Sequence, residues 1–204
     1  MTGNRLLAWI GPDPSRVDVA HVELGPDQLT ARGSSVAAAY ALTYELVTGP
    51  RWVTRRLDVR VDIDRSRRTL SLRRSPGGDW TSSRADLTTD GDPQSLRLEH
   101  PELAEALDCD LALCPLTNTM PVLREGLVEA SRRGEPRRAE LTMAWVAVPE
   151  LEVVSSEQRY DAGVPVAGGG AQIHYQAGSF HEHIEVDADG LVVSYPSIGR
   201  RLVG

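Results

Sequence analysis

The chain has 204 residues, of which 41% are apolar, and a formal net charge of −7 at pH 7. This acidic balance argues against nucleic acid as a partner, because phosphate contacts need a basic surface. A single domain over residues 1–204 fits the length, since all-β barrels and sandwiches of about 200–250 residues commonly fold as one unit.

The amino-terminal residues carry no export or membrane signal. They read Met-Thr-Gly-Asn-Arg-Leu-Leu-Ala-Trp, without a basic region followed by a long apolar run. No apolar run approaches the roughly 18 residues of a membrane-spanning helix. We therefore expect a cytoplasmic protein without a transmembrane segment, in which Cys109 and Cys114 are reduced thiols.

The first half of the chain shows two-residue periodicity. In Trp52–Asp64 apolar and charged residues alternate, which predicts a strand with one buried face and one wet face. Opposite charges alternate along the wet face, so we expect ion pairs across neighbouring strands. Gly49-Pro50 and Ser75–Asp79 predict turns, and the whole predicts a β-meander. The predicted strands are Arg16–Leu24, Val36–Val47, Trp52–Asp64, Thr69–Arg74 and Trp80–Leu87.

The middle of the chain has helix-like composition at Pro101–Leu107 and Pro121–Arg133, and β character then returns. The glycines in Val164–Ala171 predict a flexible loop, and Asp189-Gly190 predicts a type I′ hairpin turn. The predicted strands of this half are Glu140–Val148, Leu151–Ser155, Glu157–Tyr160, Gln172–Gln176, Ser179–Asp187 and Leu191–Tyr195.

These elements define the fold class. We predict an all-β protein, or a mainly β protein with one or two short helices. Twelve or more short strands must protect the edges of their sheet, and a barrel, a rolled half-barrel or a sandwich does so. Periodicity does not choose among the three.

Motifs for known chemistries are missing. The sequence contains no nucleophile elbow, phosphate-binding loop, His-Glu-x-x-His or dinucleotide-binding glycine motif. His181 and His183 would share one side of a strand, and His174 on a neighbouring strand would complete a three-histidine site. No carboxylate partner is evident, which favours ordinary polar side chains instead. We predict no metal and no cofactor; a hydrolase that uses Asp110 or these histidines is a less favoured alternative.

Thr117-Asn118-Thr119 lies between Pro115 and Pro121. Threonine hydroxyls and the asparagine amide both donate and accept hydrogen bonds, which suits a sugar or another polar head group. A turn whose side chains bond to their own backbone explains the same residues. Both interpretations remain open from composition.

The segment from Asp110 to Pro121, Asp-Leu-Ala-Leu-Cys-Pro-Leu-Thr-Asn-Thr-Met-Pro, together with Arg124, resembles the signature of the bacterial putative glycolipid-binding family. Cys114 stands where serine or threonine is more usual, and Ile198-Gly199 where an aromatic residue is more usual. The resemblance spans about residues 5–201. Supporting matches are Tyr40, Tyr44 and Trp52, then Trp145–Pro149, Glu157–Tyr160 and Val186–Pro196.

The resemblance implies a spiral β-roll, similar in shape to the lipoprotein carriers of the Lol system. We accordingly expect one antiparallel rolled sheet, an incomplete barrel of about 12–15 strands, around an apolar cavity. The implied partner is a glycolipid or another amphiphile, bound without catalysis. A structural or oligomerising scaffold, forming a homo-oligomer, is the main alternative. The candidate ligand-binding residues are Thr117, Asn118, Thr119, Arg124, Trp52, Tyr44, Trp145, Arg159 and Tyr160.

Overall fold

The computed structural model describes residues 3–88 and 94–202. These residues form fifteen strands and two short α-helices, α1 at Thr119–Arg124 and α2 at Leu127–Arg133. Single 3-10 turns lie at Pro50–Trp52, Pro101–Leu103, Pro115–Asn118 and Ala167–Gly169. The strands are β1 Gly3–Gly11, β2 Arg16–Leu24, β3 Leu29–Ala37, β4 Ala41–Thr48, β5 Thr54–Ile63, β6 Ser66–Arg74, β7 Trp80–Thr88, β8 Gln94–Glu99, β9 Asp108–Leu111, β10 Arg138–Val146, β11 Val153–Val166, β12 Gly170–Ala177, β13 Phe180–Val186, β14 Val192–Tyr195 and β15 Gly199–Arg201.

All fifteen strands belong to one open sheet, in the order β8-β7-β6-β5-β4-β3-β2-β1-β15-β14-β13-β12-β11-β10-β9. This confirms the predicted fold class, a mainly β protein with one curved, unclosed sheet and two short helices. One pair departs from the expected antiparallel sheet, because β9 runs parallel to β10. A parallel pair needs a long crossover connection, and residues 112–137, which contain both helices, provide it.

The β9 edge is turned inward against the first half of the sheet. The Thr54 amide donates to the Leu107 carbonyl at 3.0 Å, and the Cys109 amide donates to the Thr54 hydroxyl at 3.0 Å. Cys109 and Leu111 are buried in the same hydrophobic cluster as β1–β7. Side chains alternate along a strand, so Asp108 and Asp110 point to the opposite face of β9.

A second hydrophobic cluster lies on that opposite face. It contains Val122, Leu127, Tyr160 and Ile173, because α1 and α2 pack there on the second half of the sheet. The segment from Pro115 to Arg133 therefore covers part of this face of the sheet.

The meander of the first half is confirmed, with one boundary corrected. Val36–Val47 is not a single strand: β3 ends at Ala37 and β4 starts at Ala41. The charged outer face forms the expected cross-strand ion pairs. Examples are Arg73–Asp58 at 2.8 Å, Arg67–Asp62 at 2.7 Å and Arg56–Glu45 at 3.4 Å.

Three predictions for the second half are corrected. The two strands predicted between residues 151 and 160 are one strand, β11, which continues to Val166 and takes up the start of the predicted loop. The connection that remains is the 3-10 turn Ala167–Gly169. Gly170 is the first residue of β12, and a side chain is excluded there because a Cβ would lie 2.0 Å from the Val186 carbonyl oxygen. The Asp187–Leu191 hairpin is present, but only Gly190 has a positive φ, of 75°, whereas a type I′ turn needs two such residues.

The predicted helices are shorter than expected. Pro121–Arg133 is divided between α1 and α2 by Gly126, which has φ 64°. Pro101–Leu107 contains one 3-10 turn. Within the two described stretches, no helix has the length and apolarity required to cross a membrane.

Candidate functional site

A pocket of about 330 Å³ lies between the inward-turned β9, the segment that follows it and the inner face of β10–β14. This volume is at the lower end of the range of about 300–1,000 Å³ that is usual for ligand sites. The lining residues are Asp110, Leu111, Ala112, Leu113, Cys114, Asn118, Trp145, Ser156, Gln158, Tyr175, Ala177, Phe180, Tyr195 and Ile198.

A hydrogen-bonded group of polar side chains forms one wall. The Thr117 hydroxyl donates to Asp110 Oδ1 at 2.9 Å, and Gln158 Nε2 donates to Asp110 Oδ2 at 2.7 Å. The Tyr160 hydroxyl is 3.0 Å from both Asn118 Oδ1 and Gln158 Oε1, and donates to one of them at a time. The wall therefore presents a carboxyl group held by neutral donors.

Asp110 and Asp108 face the same way on β9 but have different partners. Arg124 Nη1 contacts the Asp108 carboxylate at 2.6 Å, and these two side chains are 1% and 0% exposed. Burial raises the pKa of Asp108 to about 6, although Arg124 opposes this shift. Burial also raises the pKa of Asp110, against the hydrogen bonds from Gln158 and Thr117.

Aromatic rings form the facing wall. The Tyr175 ring packs edge-to-face on three others, with centroid distances of 5.1 Å to Tyr160, 5.8 Å to Tyr195 and 6.0 Å to Phe180. Phe180 is 43% exposed and lies at the mouth of the pocket. Among the residues that the structure describes, none that lines this pocket is basic. The site combines an apolar, aromatic body with a polar end.

Arg16 connects two segments at the rim of the pocket through hydrogen bonds to their backbone. Its guanidinium donates to the Leu113 carbonyl at 2.7 Å and also to the Ile198 carbonyl, while its Nε pairs with Asp18 at 3.1 Å. Sequence reasoning missed Arg16. A signal was present, because Arg16 and Asp18 alternate in step with Ala20, Val22 and Leu24, the apolar residues at the end of a correctly predicted strand.

Some predicted site residues meet at the pocket. Asn118 and Trp145 line it. Thr117 and Tyr160 stand directly behind the wall and bind Asp110 and Asn118, respectively. Sequence reasoning missed Gln158, Tyr175, Phe180 and Tyr195, because strand periodicity does not reveal which inward residues surround a pocket.

Other predicted residues lie elsewhere. Thr119 is fully buried, and Arg124 is engaged by Asp108. Tyr44 is buried, with its ring against Gly33, and Trp52 packs half-buried on the first hydrophobic cluster.

Arg159 lies on the opposite face of β11 from Gln158, where it pairs with Asp161 at 3.0 Å. It borders a separate groove of about 520 Å³ with His174, His181 and His183. The His174 and His183 rings are 4.2 Å apart. Within residues 3–88 and 94–202, no three histidine, cysteine or acidic residues are placed to hold a metal ion.

The fold defines a class: mainly β proteins built on one large, open, curved sheet. The chain belongs to the family described as "Putative glycolipid-binding", whose model matches residues 6–201. It is similar to the crystal structure of a DUF1089 family protein from Pseudomonas aeruginosa, with 27% identity and a TM-score of 0.64, over 91% of this chain and 92% of that chain. No curated protein matches the chain.

Proposed function

We propose that this protein binds an amphiphile, a glycolipid or another lipid, with the head group in the pocket at Asp110 and without catalysis. The observation that carries this function is the pocket itself, which has aromatic and aliphatic walls and one polar end at Asp110, Asn118 and Gln158. Membership of a family described as glycolipid-binding supports the same ligand class.

The size of the pocket decides which part of the ligand enters. A volume of about 330 Å³ suits a head group and the start of a chain, not a complete lipid. The rest of the chain would leave past Phe180 and Val154, which are 43% and 44% exposed. Val154 is the cross-strand neighbour of Trp145 and therefore lies on the same face. Covering such surface contributes about 25 cal/mol per Å².

The candidate residues then divide by role. Asn118 and Trp145 contact the ligand, while Thr117 and Tyr160 hold the polar wall. Arg124 keeps the helical segment in place through Asp108 and does not bind an anionic head group.

Mass spectrometry of the organic extract of protein purified from its native host tests this function. We expect a stoichiometric amphiphile in the wild type and its loss in Ala177→Trp, which fills the pocket. Ala188→Trp, in the exposed turn before β14, is the matched control and should retain the ligand. An empty wild-type extract, or equal retention by both variants, would contradict the proposal and favour a scaffold.

A further inference from the structure

Two carboxyl groups on one face of β9 differ in their counter-charge. Asp108 has a buried arginine partner at 2.6 Å. In the described part of the chain, Asp110 accepts hydrogen bonds only from the Gln158 amide and the Thr117 hydroxyl. A carboxylate removed from water is stabilised more by a cation than by neutral donors. Among the described residues, Asp108 thus has a cationic partner, whereas the carboxyl group of Asp110, which faces the pocket, has none.

The other walls of the pocket also suit a cation. Trp145, Tyr175, Phe180 and Tyr195 line it, and aromatic faces attract ammonium groups within about 6 Å of the ring centroid. No basic side chain of the described residues lines the pocket to repel such a group. Groups of aromatic rings recognise quaternary ammonium ligands in other proteins, and a nearby carboxylate adds an opposite charge.

We infer that the head group bound in this pocket carries an ammonium charge, as in an amino sugar or a quaternary ammonium, and that Asp110 is its counter-ion. The inference rests on the proposed amphiphile binding and narrows it. An anionic head group would meet Asp110 as a like charge, and a neutral one would leave the carboxylate without a counter-charge.

Four probes with one octyl chain, each below its micelle concentration, test the inference: octyltrimethylammonium, octyl glucosaminide, octyl glucoside and octyl sulfate. Trp145 lines the pocket, so its fluorescence reports binding, and Trp145→Phe identifies its share of the signal. We expect both ammonium probes to bind at least about tenfold more tightly than octyl glucoside, and octyl sulfate to bind most weakly. The tighter ammonium probe tells an amino sugar from a quaternary ammonium.

Asp110→Asn should reduce the advantage of the ammonium probes over octyl glucoside to near unity. Asp64→Asn makes the same charge change at an exposed turn residue and should retain the advantage. A measurement on the wild type needs no variant: tetramethylammonium chloride should displace octyltrimethylammonium at concentrations where sodium chloride does not.

The inference fails if octyl glucoside binds as tightly as the ammonium probes, if Asp110→Asn keeps their advantage, or if both salts displace equally. Equal binding of all four probes would leave amphiphile binding intact and overturn only the ammonium head group. Binding of none of them would overturn both.

Discussion

The Tyr160 hydroxyl lies 3.0 Å from Asn118 Oδ1, although the two residues are 42 positions apart in the chain. Asn118 also donates through Nδ2 to the Pro115 carbonyl at 3.3 Å, and the Thr117 hydroxyl lies 3.0 Å from the Cys114 carbonyl. The interpretation of the Thr-Asn-Thr segment as a turn that bonds to its own backbone is therefore confirmed for Thr117 and Asn118. These two side chains also belong to the hydrogen-bonded group at the pocket, and their binding of a polar head group stays a prediction.

Tyr160→Phe should lower the free energy of unfolding by about 1–3 kcal/mol, because it leaves buried amide oxygens of Asn118 and Gln158 without their donor. Urea denaturation measures this loss. Combined with Asn118→Ala, the loss should be smaller than the sum of the single variants. Combined with Ser83→Ala, on the exposed face of β7, it should be additive. If the losses are additive in the pair with Asn118→Ala as well as in the pair with Ser83→Ala, the hydrogen bond between Tyr160 and Asn118 does not contribute to stability.

Gly11→Ala should destabilise the rim of the pocket. A Cβ there would lie 2.5 Å from Arg16 Nη1 and 2.7 Å from the Ile198 carbonyl oxygen, and crowding of this kind costs about 1–3 kcal/mol. Gly77→Ala is the matched control, since its Cβ would meet nothing closer than 3.4 Å; it should change stability by less than about 1 kcal/mol. Thermal unfolding compares the two, and an equal Tm would exclude the steric explanation.

Arg124→Met should cost about 3–5 kcal/mol, because it leaves the Asp108 carboxylate buried without a cation. Adding Asp108→Leu should recover much of this loss, since an apolar pair of similar volume often replaces a buried ion pair without penalty. Chemical denaturation of the single and double variants measures the recovery. A double variant no more stable than Arg124→Met would show that the arginine acts through packing instead.

The contribution of the buried carboxyl groups to stability should decrease as pH rises above about 4, the ordinary carboxyl pKa. Burial raises the pKa of Asp110 and of Asp108 in the folded protein, so the folded state binds more protons than the unfolded state in this range. Asp110→Asn should make the decrease shallower, and the remaining slope is due to Asp108 and to Asp18, whose pKa burial also raises. Burial also raises the pKa of the tyrosines on the same side as Asp110, namely Tyr160, Tyr175 and Tyr195, so these hydroxyls stay protonated in this pH range.

Urea unfolding at a series of pH values from about 4 to about 7 measures this slope. Asp64→Asn serves as the control, because Asp64 is exposed in the turn after β5. If Asp110→Asn and Asp64→Asn keep the same slope as the wild type, Asp110 does not contribute to the pH dependence.

Strand positions could be predicted wherever the pattern is local. Arg16–Leu24 was predicted with its observed bounds, because two-residue alternation reports a half-buried strand directly. The same rule failed at β11, where the polar residues before Gln158 and the glycine before Pro165 hide one strand of 14 residues. Its continuity depends on pairing with β10 and β12, which are distant in the chain.

The candidate site also combines features that local sequence predicts with features that depend on distant parts of the chain. The Thr-Asn-Thr segment could be recognised from residue types, since short polar side chains between prolines have few local roles. Asp108 and Asp110, by contrast, are chemically identical and share one face of a strand. Only folding brings Arg124 into contact with Asp108. Only folding places Gln158 and the aromatic wall beside Asp110. Strand tendency is encoded by neighbours in sequence, whereas the partner of a buried charge depends on which distant segments meet when the sheet rolls.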